Sequence, residues 1–247
     1  MDLCMFDSLE STNKYCELLD MNEVKEFTVI CAREQTAGIG QRGNCWHAEA
    51  GSNLTFSMVL KPEFLPVENQ YMLTKAVSLG LVDGIGPYLP NTTVRIKWPN
   101  DIYVGNKKIC GILISNKVKG TNLSVSIVGI GLNVNQTVFP DWVPNPVSIK
   151  QVSGRDESLE VVLKRVVDAV ELRYIQLRDG WFSGVEEMDK EYLSRLLFLG
   201  REMPYKYHEK EIKATIVGVN RFGHLELVTD SGDTITCQLK ELKFLGV

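Results

Sequence analysis

The chain has 247 residues, of which 44% are hydrophobic and 23% are charged, and its formal net charge is -4. This length allows one sizeable core with a small appendage, and the composition is ordinary for a globular protein. The slightly negative charge argues against general nucleic-acid binding, which needs a basic field along the phosphates.

The first part of the chain alternates between apolar strand patterns and helix patterns. Strands are predicted at 3–8, 27–32, 53–60, 94–97, 101–104, 108–115 and 125–134, and helices at 11–21 and 68–83. Ser11 is of the residue type that begins a helix as its N-cap. A long glycine-rich loop is predicted between residues 34 and 52, directly after one strand and before the next.

The second part begins with a proline-containing loop at 136–150, and helices return after Asp156 and at 184–198. From Arg201 onward the pattern changes to short strands separated by turn residues, at 203–208, 212–219, 224–229 and 234–238. We therefore expect an α+β protein with two domains. The first, residues 1–199, would hold a mixed sheet and helices, and the second, residues 200–247, would be a small β-barrel.

The six cysteines and three histidines have no spacing that is typical of a metal site, so no protein metal cage is predicted. Scattered cysteines are typical of reduced thiols in the cytosol. The N-terminus lacks the basic and apolar regions of a signal peptide, and no stretch approaches the roughly 20 apolar residues that span a bilayer. The sequence therefore predicts a cytoplasmic protein without a membrane segment.

Residues 38–43 read Gly-Ile-Gly-Gln-Arg-Gly and match the pattern G-x-G-x-x-G. In a dinucleotide-binding fold a helix follows directly, so that its N-terminus meets the pyrophosphate. Here the segment leads into another strand, which disfavours that fold, and the other motifs of a protein kinase are missing. Two interpretations stay open, a flexible surface loop and a mobile loop that orders over a nucleotide phosphate.

Residues 97–101 read Lys-Trp-Pro-Asn-Asp and stand between two predicted strands. Each residue alone has a structural explanation: the lysine could be solvated, the tryptophan could be core and the aspartate could cap a turn. Packing gives no reason to place all five consecutively. Lys108 follows, with Gly-Ile-Leu at 111–113. This run therefore indicates chemistry far more specifically than the glycine loop does.

Taken in order, these segments resemble the motifs of biotin protein ligases. That family carries a glycine- and arginine-rich loop ending at a tryptophan, then K-W-P-N-D, K-x-x-G-I-L and a strand ending in G-x-N. This chain has counterparts at 38–46, 97–101, 108–113 and 129–133, with the upstream S-T-N at 11–13. The resemblance covers nearly the whole chain. It implies a mixed sheet with flanking helices, similar to class II synthetases, and a small SH3-like β-barrel.

The resemblance also implies roles for the matching residues. The biotin pocket would be lined by Ser11, Thr12, Asn13 and Gln35, whose hydroxyl and amide groups suit a ureido ring. The loop that folds over biotin and its adenylate would contain Gly38, Ile39, Gly40, Gln41 and Gly43. Arg42 would bind phosphate, Lys108 would hold the biotin carboxylate and the α-phosphate, and Asp101 would help the acceptor lysine to lose its proton. The remaining cofactor-binding positions are Trp46, Asn53, Lys97, Asn100, Gly111 and Asn133.

The loop departs from the family pattern at two positions. Ile39 stands where the first loop arginine is expected, and Asn44 where another arginine is common. Losing one charge-assisted contact to phosphate would weaken retention of the adenylate by roughly 1–3 kcal/mol. Alternatively, the loop backbone makes that contact.

The implied reaction has two steps. Biotin and ATP give biotinyl-5'-AMP and pyrophosphate, and a lysine of a biotin carboxyl carrier protein domain then attacks the mixed anhydride. Mg²⁺ is expected with the ATP phosphates. Because the S-T-N site begins at Ser11, we expect no preceding DNA-binding domain and no DNA binding. Pairing of exposed strand edges would allow a homodimer.

Three alternatives remain at this stage. A lipoate protein ligase shares the adenylation chemistry, but lipoate has no ureido ring for the polar site at 11–13. A non-catalytic biotin-binding module would not need the phosphate chemistry implied by Arg42, Lys108 and Asp101. A scaffold with an SH3-like peptide-binding domain is indicated only by the C-terminal strands.

Overall fold

The computed structural model describes residues 2–239 and 241–246, and the side chain of Arg42 lies outside the described residues. The strands are β1 (Asp2–Leu9), β2 (Thr28–Gln35), β3 (Leu54–Leu60), β4 (Val94–Lys97), β5 (Asp101–Val104), β6 (Lys107–Lys119), β7 (Asn122–Leu132), β8 (Glu202–Tyr207), β9 (Lys210–Val219), β10 (Leu225–Thr229), β11 (Thr234–Cys237) and β12 (Leu242–Phe244). The helices are α1 (Thr12–Glu17), α2 (Tyr71–Ile85), α3 (Ile149–Ser153), α4 (Leu159–Gly180) and α5 (Glu186–Ser194).

A seven-stranded mixed sheet forms the larger part of the molecule, in the order β1-β2-β3-β7-β6-β5-β4. The pair β1 and β2 is parallel, and the other neighbours are antiparallel. All seven residues of β3 are buried, as expected for a central strand covered on both faces. The predicted mixed sheet is thereby confirmed, and its strands bring distant sequence motifs side by side.

Helices α2 and α4 pack against each other so closely that a glycine is needed between them. A Cβ atom at Gly80 would lie 2.6 Å from the Cα atom of Val170 on α4. The apolar residues at 162, 163, 166, 167 and 170 are buried, as their helical spacing predicts. The two helices thus cover the sheet and supply much of the main hydrophobic core.

A second sheet contains the C-terminal strands, in the order β11-β10-β9-β8-β12, and all of its pairings are antiparallel. Within the described residues it is an open five-stranded sheet, because no pairing joins β11 to β12 and closes a barrel. The expected class, a mixed sheet with helices followed by a small β unit, is confirmed. The domain boundary at 199/200 remains a prediction, and it falls just before β8.

The two sheets share one hydrophobic core. Residues of the second sheet, among them Tyr205, Ile216 and Leu227, belong to the same buried cluster as the helices of the first. The indole Nε1 of Trp98 donates to the carbonyl oxygen of Gly223 at 2.9 Å, which ties the segment after β4 to the turn before β10. None of the described helices combines the length and apolarity that a membrane crossing requires.

Some element boundaries differ from the sequence predictions. Helix α1 ends at Glu17 rather than near 21, and β6 continues to Lys119 instead of 115. Helix α3 lies at the end of the segment that was predicted as a proline loop. It begins with a capping box, in which the Ser148 hydroxyl accepts from the Gln151 N–H and the Gln151 side chain accepts from the Ser148 N–H.

Candidate active site

A narrow cavity opens where the glycine loop crosses the middle of the large sheet. Its walls come from the start of α1, the end of β2, the glycine loop, the turn before β5, and strands β6 and β7. Eleven of the predicted site residues line it: Ser11, Thr12, Asn13, Gln35, Ile39, Gly40, Gln41, Trp46, Asn100, Lys108 and Gly111. Sheet pairing therefore assembles one site from motifs that lie up to a hundred residues apart.

One end of the cavity is polar and buried. The Thr12 N–H donates to Gln35 Oε1 at 2.7 Å, and Asn13 Nδ2 donates to the carbonyl oxygen of Leu113 at 3.2 Å. Beneath them Ser57, at the centre of β3, has its hydroxyl 2.7 Å from Thr12 Oγ1 and 2.6 Å from Asn13 Oδ1. Gly129 lies under Asn13, and a Cβ atom there would collide with the Asn13 side chain.

The cavity is also lined by Lys108, whose ammonium is paired with Asp101. Lys108 Nζ lies 2.6 Å from Asp101 Oδ1, and both side chains are partly buried, with 27% and 16% of their surface exposed. A lysine that lines a cavity and is held beside an aspartate provides a cation for an anionic group and a carboxylate that can accept a proton.

The turn before Asp101 is fixed by hydrogen bonds to β6. Asn100 Nδ2 donates to the carbonyl oxygen of Ile112 at 2.6 Å, and the Ile112 N–H donates to the carbonyl oxygen of Asn100 at 2.9 Å. The Trp98–Pro99 peptide bond is cis. Trp98 itself is buried, so in the Lys-Trp-Pro-Asn-Asp run the aromatic residue is structural, Asn100 lines the cavity and Asp101 pairs with the cavity residue Lys108.

The glycine loop folds back on itself and covers the cavity. Ile39 and Cys45 form a short bridge, and the Gly40 N–H donates to the carbonyl oxygen of Asn44 at 2.6 Å. This turn places the Trp46 indole directly on Gly111 and Gly131, where any Cβ atom would collide with the ring. The buried indole Nε1 has no hydrogen-bond partner among the described residues. The loop therefore packs against the sheet through Trp46, whose indole N–H has no partner among the described residues.

A second cavity, of about 540 Å³, lies beside the first and shares Trp46 and Lys108 with it. Its other walls come from the proline-containing loop and include Phe139, Trp142 and Pro144. The His47 ring stands edge-on to Trp142, with the ring centres 5.4 Å apart. An aromatic and proline-lined space suits a flat, weakly polar group such as a nucleotide base.

The structure places several other predicted site residues outside the first cavity. The Lys97 ammonium lies over the rings of Tyr103 and Phe244, at 5.1 and 4.6 Å from their centres. Burial lowers the pKa of Lys97 from its usual value. Lys97 therefore lines neither cavity, although the charges of Asp101 and Lys108 act on its ammonium.

The remaining predicted positions support or border the site. Asn53 is buried, and its Oδ1 accepts from the Val134 N–H at 2.8 Å. Asn133 and Gly43 border the second cavity. Gly38 lies against Trp46, where a Cβ atom would lie 2.5 Å from the Trp46 carbonyl oxygen. The side chain of Arg42 lies outside the described residues, so its predicted contact with phosphate stays a prediction.

Sequence reasoning missed two parts of the site. Ser57 lies in a strand of ordinary apolar pattern, and only its polar type at a buried position could have indicated a role. The aromatic wall with Phe139 and Trp142 lies in the segment that was predicted only as a loop. Its prolines and aromatic residues were the available signal.

The described residues contain no group of three or more histidine, cysteine, aspartate or glutamate side chains that could hold a metal ion. The Asp101 carboxylate near the cavity is already paired with Lys108. A magnesium ion would accordingly find no ready cage among these residues and would need the phosphate oxygens of a bound nucleotide as its main ligands.

The site combines a polar pocket, a lysine–aspartate pair and an aromatic cavity. This combination is what an enzyme needs to activate a carboxylic acid with a nucleotide. Comparisons with known proteins support this interpretation of the site. The model of the Biotin/lipoate A/B protein ligase family matches residues 5–133, which is more than half of the chain. The bifunctional ligase/repressor BirA of Bacillus subtilis is 31% identical over 233 residues, covering 93% of this chain and 70% of that protein.

A biotin--[acetyl-CoA-carboxylase] ligase of Paracoccus denitrificans is 29% identical over 209 residues, covering 82% of this chain and 85% of that protein. Among solved structures, the biotin protein ligase from Aquifex aeolicus in complex with biotin and ATP superposes with a TM-score of 0.80 at 25% identity, covering 98% of this chain and 97% of that one. The chain belongs to the Biotin/lipoate A/B protein ligase family.

Proposed function

We propose that this protein is a biotin protein ligase, which activates biotin with ATP and transfers it to a lysine of a carboxyl carrier protein domain. One observation carries the proposal: Lys108, which is paired with Asp101, lines both the buried polar pocket and the aromatic cavity beside it. The pocket suits the ureido head of biotin and the aromatic cavity suits adenine. The reacting carboxylate and α-phosphate would then meet beside Lys108.

In the first step the biotin carboxylate attacks the α-phosphorus of ATP, a mixed anhydride forms and pyrophosphate leaves. Both reactants are anions, so their approach is opposed by charge repulsion. Lys108 reduces that repulsion and stabilises the charge that develops on the phosphate oxygens. The glycine loop over the cavity excludes water, which would otherwise hydrolyse the anhydride.

In the second step the neutral amine of the acceptor lysine attacks the biotinyl carbonyl carbon, and AMP leaves. The attacking nitrogen must lose a proton as the new amide bond forms. Asp101 is the carboxylate at the site that can take it, once phosphate has engaged Lys108. Asp101 therefore matters most for transfer, and Lys108 matters for both steps.

We propose that Mg²⁺ binds together with the nucleotide. It would neutralise charge on the ATP phosphates, since the described residues form no metal-binding cluster of their own. Ile39 lines the first cavity, so its backbone groups can take over from an arginine there, whereas the N–H and the carbonyl of Asn44 are bonded within the loop, to Gln41 and Gly40.

The rival within the same family is lipoate ligation, because the family model covers both acids. The four polar side chains at 11–13 and 35 line the pocket, and they suit a head group with N–H and carbonyl groups better than a dithiolane ring.

The deciding experiment incubates the protein with ATP, Mg²⁺ and either acid, and follows pyrophosphate release and the mass of the acyl-adenylate. A carrier domain is then added and its mass shift is measured. We expect adenylate formation and transfer with biotin. Adenylate formation with lipoate and none with biotin would contradict the proposal.

A further inference from the structure

Two tyrosines stand behind the Lys-Trp-Pro-Asn-Asp turn, on the helices that flank it. The hydroxyl of Tyr71, the first residue of α2, donates to the carbonyl oxygen of Pro99 at 3.1 Å. The same hydroxyl lies 2.8 Å from the hydroxyl of Tyr192 on α5. A carbonyl can only accept, so the single proton of Tyr71 lies on the bond to Pro99 and Tyr192 donates to Tyr71. The Tyr71 hydroxyl therefore holds the peptide group that directly precedes Asn100.

Two further contacts fix the ring of Tyr71. A Cβ atom at Gly223 would lie 2.2 Å from Tyr71 Cδ2, so the turn before β10 lies directly against the ring. On α2 itself, the Lys75 ammonium lies 5.7 Å from the centre of the Tyr71 ring and 5.4 Å from that of Tyr192.

Lys75 is only 1% exposed, and its ammonium is paired with Asp189 of α5. A buried ammonium is costly to keep unless it is paired, and the faces of aromatic rings add to its stabilisation. The pair and the two rings therefore stabilise one another in this arrangement. Burial also raises the pKa of Tyr71 well above its usual value, so the hydroxyl keeps its proton at neutral pH.

The turn is thus held on both sides. On the side of β6, Asn100 exchanges hydrogen bonds with Ile112, and on the side of α2 the Tyr71 hydroxyl holds the Pro99 carbonyl. Asp101 follows at once as the first residue of β5. Tyr71 lines neither of the two cavities of the candidate site, so any effect that it has on the reaction passes through this turn.

We propose that Tyr71 is a positioning residue for the transfer step, which holds the Pro99–Asn100 peptide group and through it the direction of the Asp101 carboxylate. A general base must stand within hydrogen-bond reach of the proton that it removes, and a small misplacement slows the reaction. Lys108 lies on β6 and keeps its place when the turn moves, so adenylation does not depend on Tyr71. This inference rests on the proposed function.

The test compares Tyr71→Phe, which removes the hydroxyl and keeps the ring, with the wild-type protein. We expect single-turnover transfer from preformed adenylate to slow by about 3- to 10-fold, the size of one net hydrogen bond. Pyrophosphate exchange should stay unchanged. Tyr192→Phe is the matched control, because it removes the other hydroxyl of the pair and leaves the bond to Pro99. Both of its rates should equal those of the wild type.

A double variant separates positioning from a merely structural role. If Tyr71 acts by directing the Asp101 carboxylate, Tyr71→Phe should cause no further slowing of transfer in the Asp101→Asn protein. A residue that only supports the fold would slow transfer by the same factor in both backgrounds.

A second pair of variants reaches Tyr71 from the other sheet. Gly223 and Gly232 both lie in turns at positive φ, 85° and 88°, so alanine is strained similarly at each. Only at Gly223 would the new Cβ atom meet the Tyr71 ring, whereas Gly232 has open space around it. Gly223→Ala should therefore slow transfer and Gly232→Ala should not. This pair decides the question if thermal unfolding shows that Tyr71→Phe is not folded.

The inference is overturned if Tyr71→Phe leaves transfer unchanged, slows both steps equally, or matches Tyr192→Phe. It is also overturned by equal slowing in the Asp101→Asn background, or by equal effects of the two glycine variants. A wild-type protein that forms no biotinyl-adenylate, or transfers none of it to a carrier domain, would instead overturn the proposed function. The wild-type rates thus separate the two failures.

Discussion

Lys108 and Asp101 lie on adjacent strands, and a β-bulge brings their charged groups to 2.6 Å. The register of β5 and β6 shifts between Ile102 and Tyr103, so that Lys108 is paired with Tyr103 while Asp101 is paired with Gly111. The shift re-aims the lysine side chain, which reaches back over Gly111. A side chain at Gly111 would occupy the space that the Lys108 ammonium uses.

Replacing Lys108 by alanine should reduce biotin adenylation by about 10²- to 10³-fold, because the developing charge on phosphate loses its cation. Pyrophosphate exchange in the presence of biotin measures this step. Lys107→Ala is the matched control, since Lys107 is the preceding residue of β6 and is exposed. Equal activity of the two variants would remove Lys108 from the mechanism.

Replacing Asp101 by asparagine should separate the two steps. The amide cannot accept a proton from the acceptor lysine, so transfer should slow by about 10²-fold or more, the usual contribution of a general base. Adenylate formation should change much less. Single-turnover transfer from preformed adenylate, measured beside pyrophosphate exchange, gives both values. A variant that loses adenylation and keeps transfer would contradict the assignment.

Replacing Gly131 by alanine should open the glycine loop, because the new Cβ atom would collide with the Trp46 ring. We expect a higher KM for biotin and faster proteolysis of the loop. Gly180→Ala is the control, since a Cβ atom at Gly180 meets no neighbour within 4 Å. Unchanged kinetics and proteolysis in Gly131→Ala would mean that Trp46 need not pack there.

Replacing Gly80 by alanine should destabilise the fold by about 1–3 kcal/mol, because the added methyl group is forced against the backbone of α4. Urea unfolding followed by circular dichroism measures the change. Gly86 ends α2 in helical conformation with open space around it, so Gly86→Ala should be neutral or slightly stabilising. A neutral Gly80→Ala would show that the two helices can move apart at little cost.

The thiols should fall into two reactivity classes. Cys4 and Cys45 are exposed and should react with a thiol reagent near pH 8. Burial raises the pKa of Cys16 to about 12 and those of Cys31 and Cys237 to about 11. A raised pKa keeps the thiol protonated until the pH approaches that value, so these three should stay unreactive in the folded protein.

The same measurement reports on the loop, because Cys45 precedes Trp46 and borders the second cavity. Biotin and ATP together should slow the modification of Cys45 and leave that of Cys4 unchanged, as read by peptide mass spectrometry. Equal rates for Cys45 with and without the ligands would argue against a nucleotide in that cavity.

Local patterns were sufficient to predict elements whose conformation is set by neighbours in sequence. Strands β4 and β5 occur at 94–97 and 101–104 as predicted, because a proline turn separates two short apolar runs. Helix α3 was missed although its Ser148–Gln151 capping signal is local, since the surrounding prolines indicated a loop. Strand β12 was missed because only three residues form it, and its pairing partner lies at Tyr205–Tyr207.

The sequence motifs were sufficient to predict many residues of the site, but not how their side chains are arranged. Which side chains face the cavity depends on register and burial, and these are set by tertiary packing. Lys97 illustrates this, because its place in the Lys-Trp-Pro-Asn-Asp run predicts a binding role while its side chain packs on Tyr103 and Phe244. Ser57 illustrates the converse, since no motif marks it and only its contacts with Thr12 and Asn13 do.

The bond from Trp98 to Gly223 limits how the chain can be divided for engineering. A split or a fusion junction near residue 200 would leave the indole N–H of one fragment and the carbonyl of the other without partners, and would expose both halves of a common core. Fragment complementation should therefore require co-expression of the two pieces. The turn Asp230–Asp233, which connects β10 to β11, is exposed and is therefore the better place for an inserted tag.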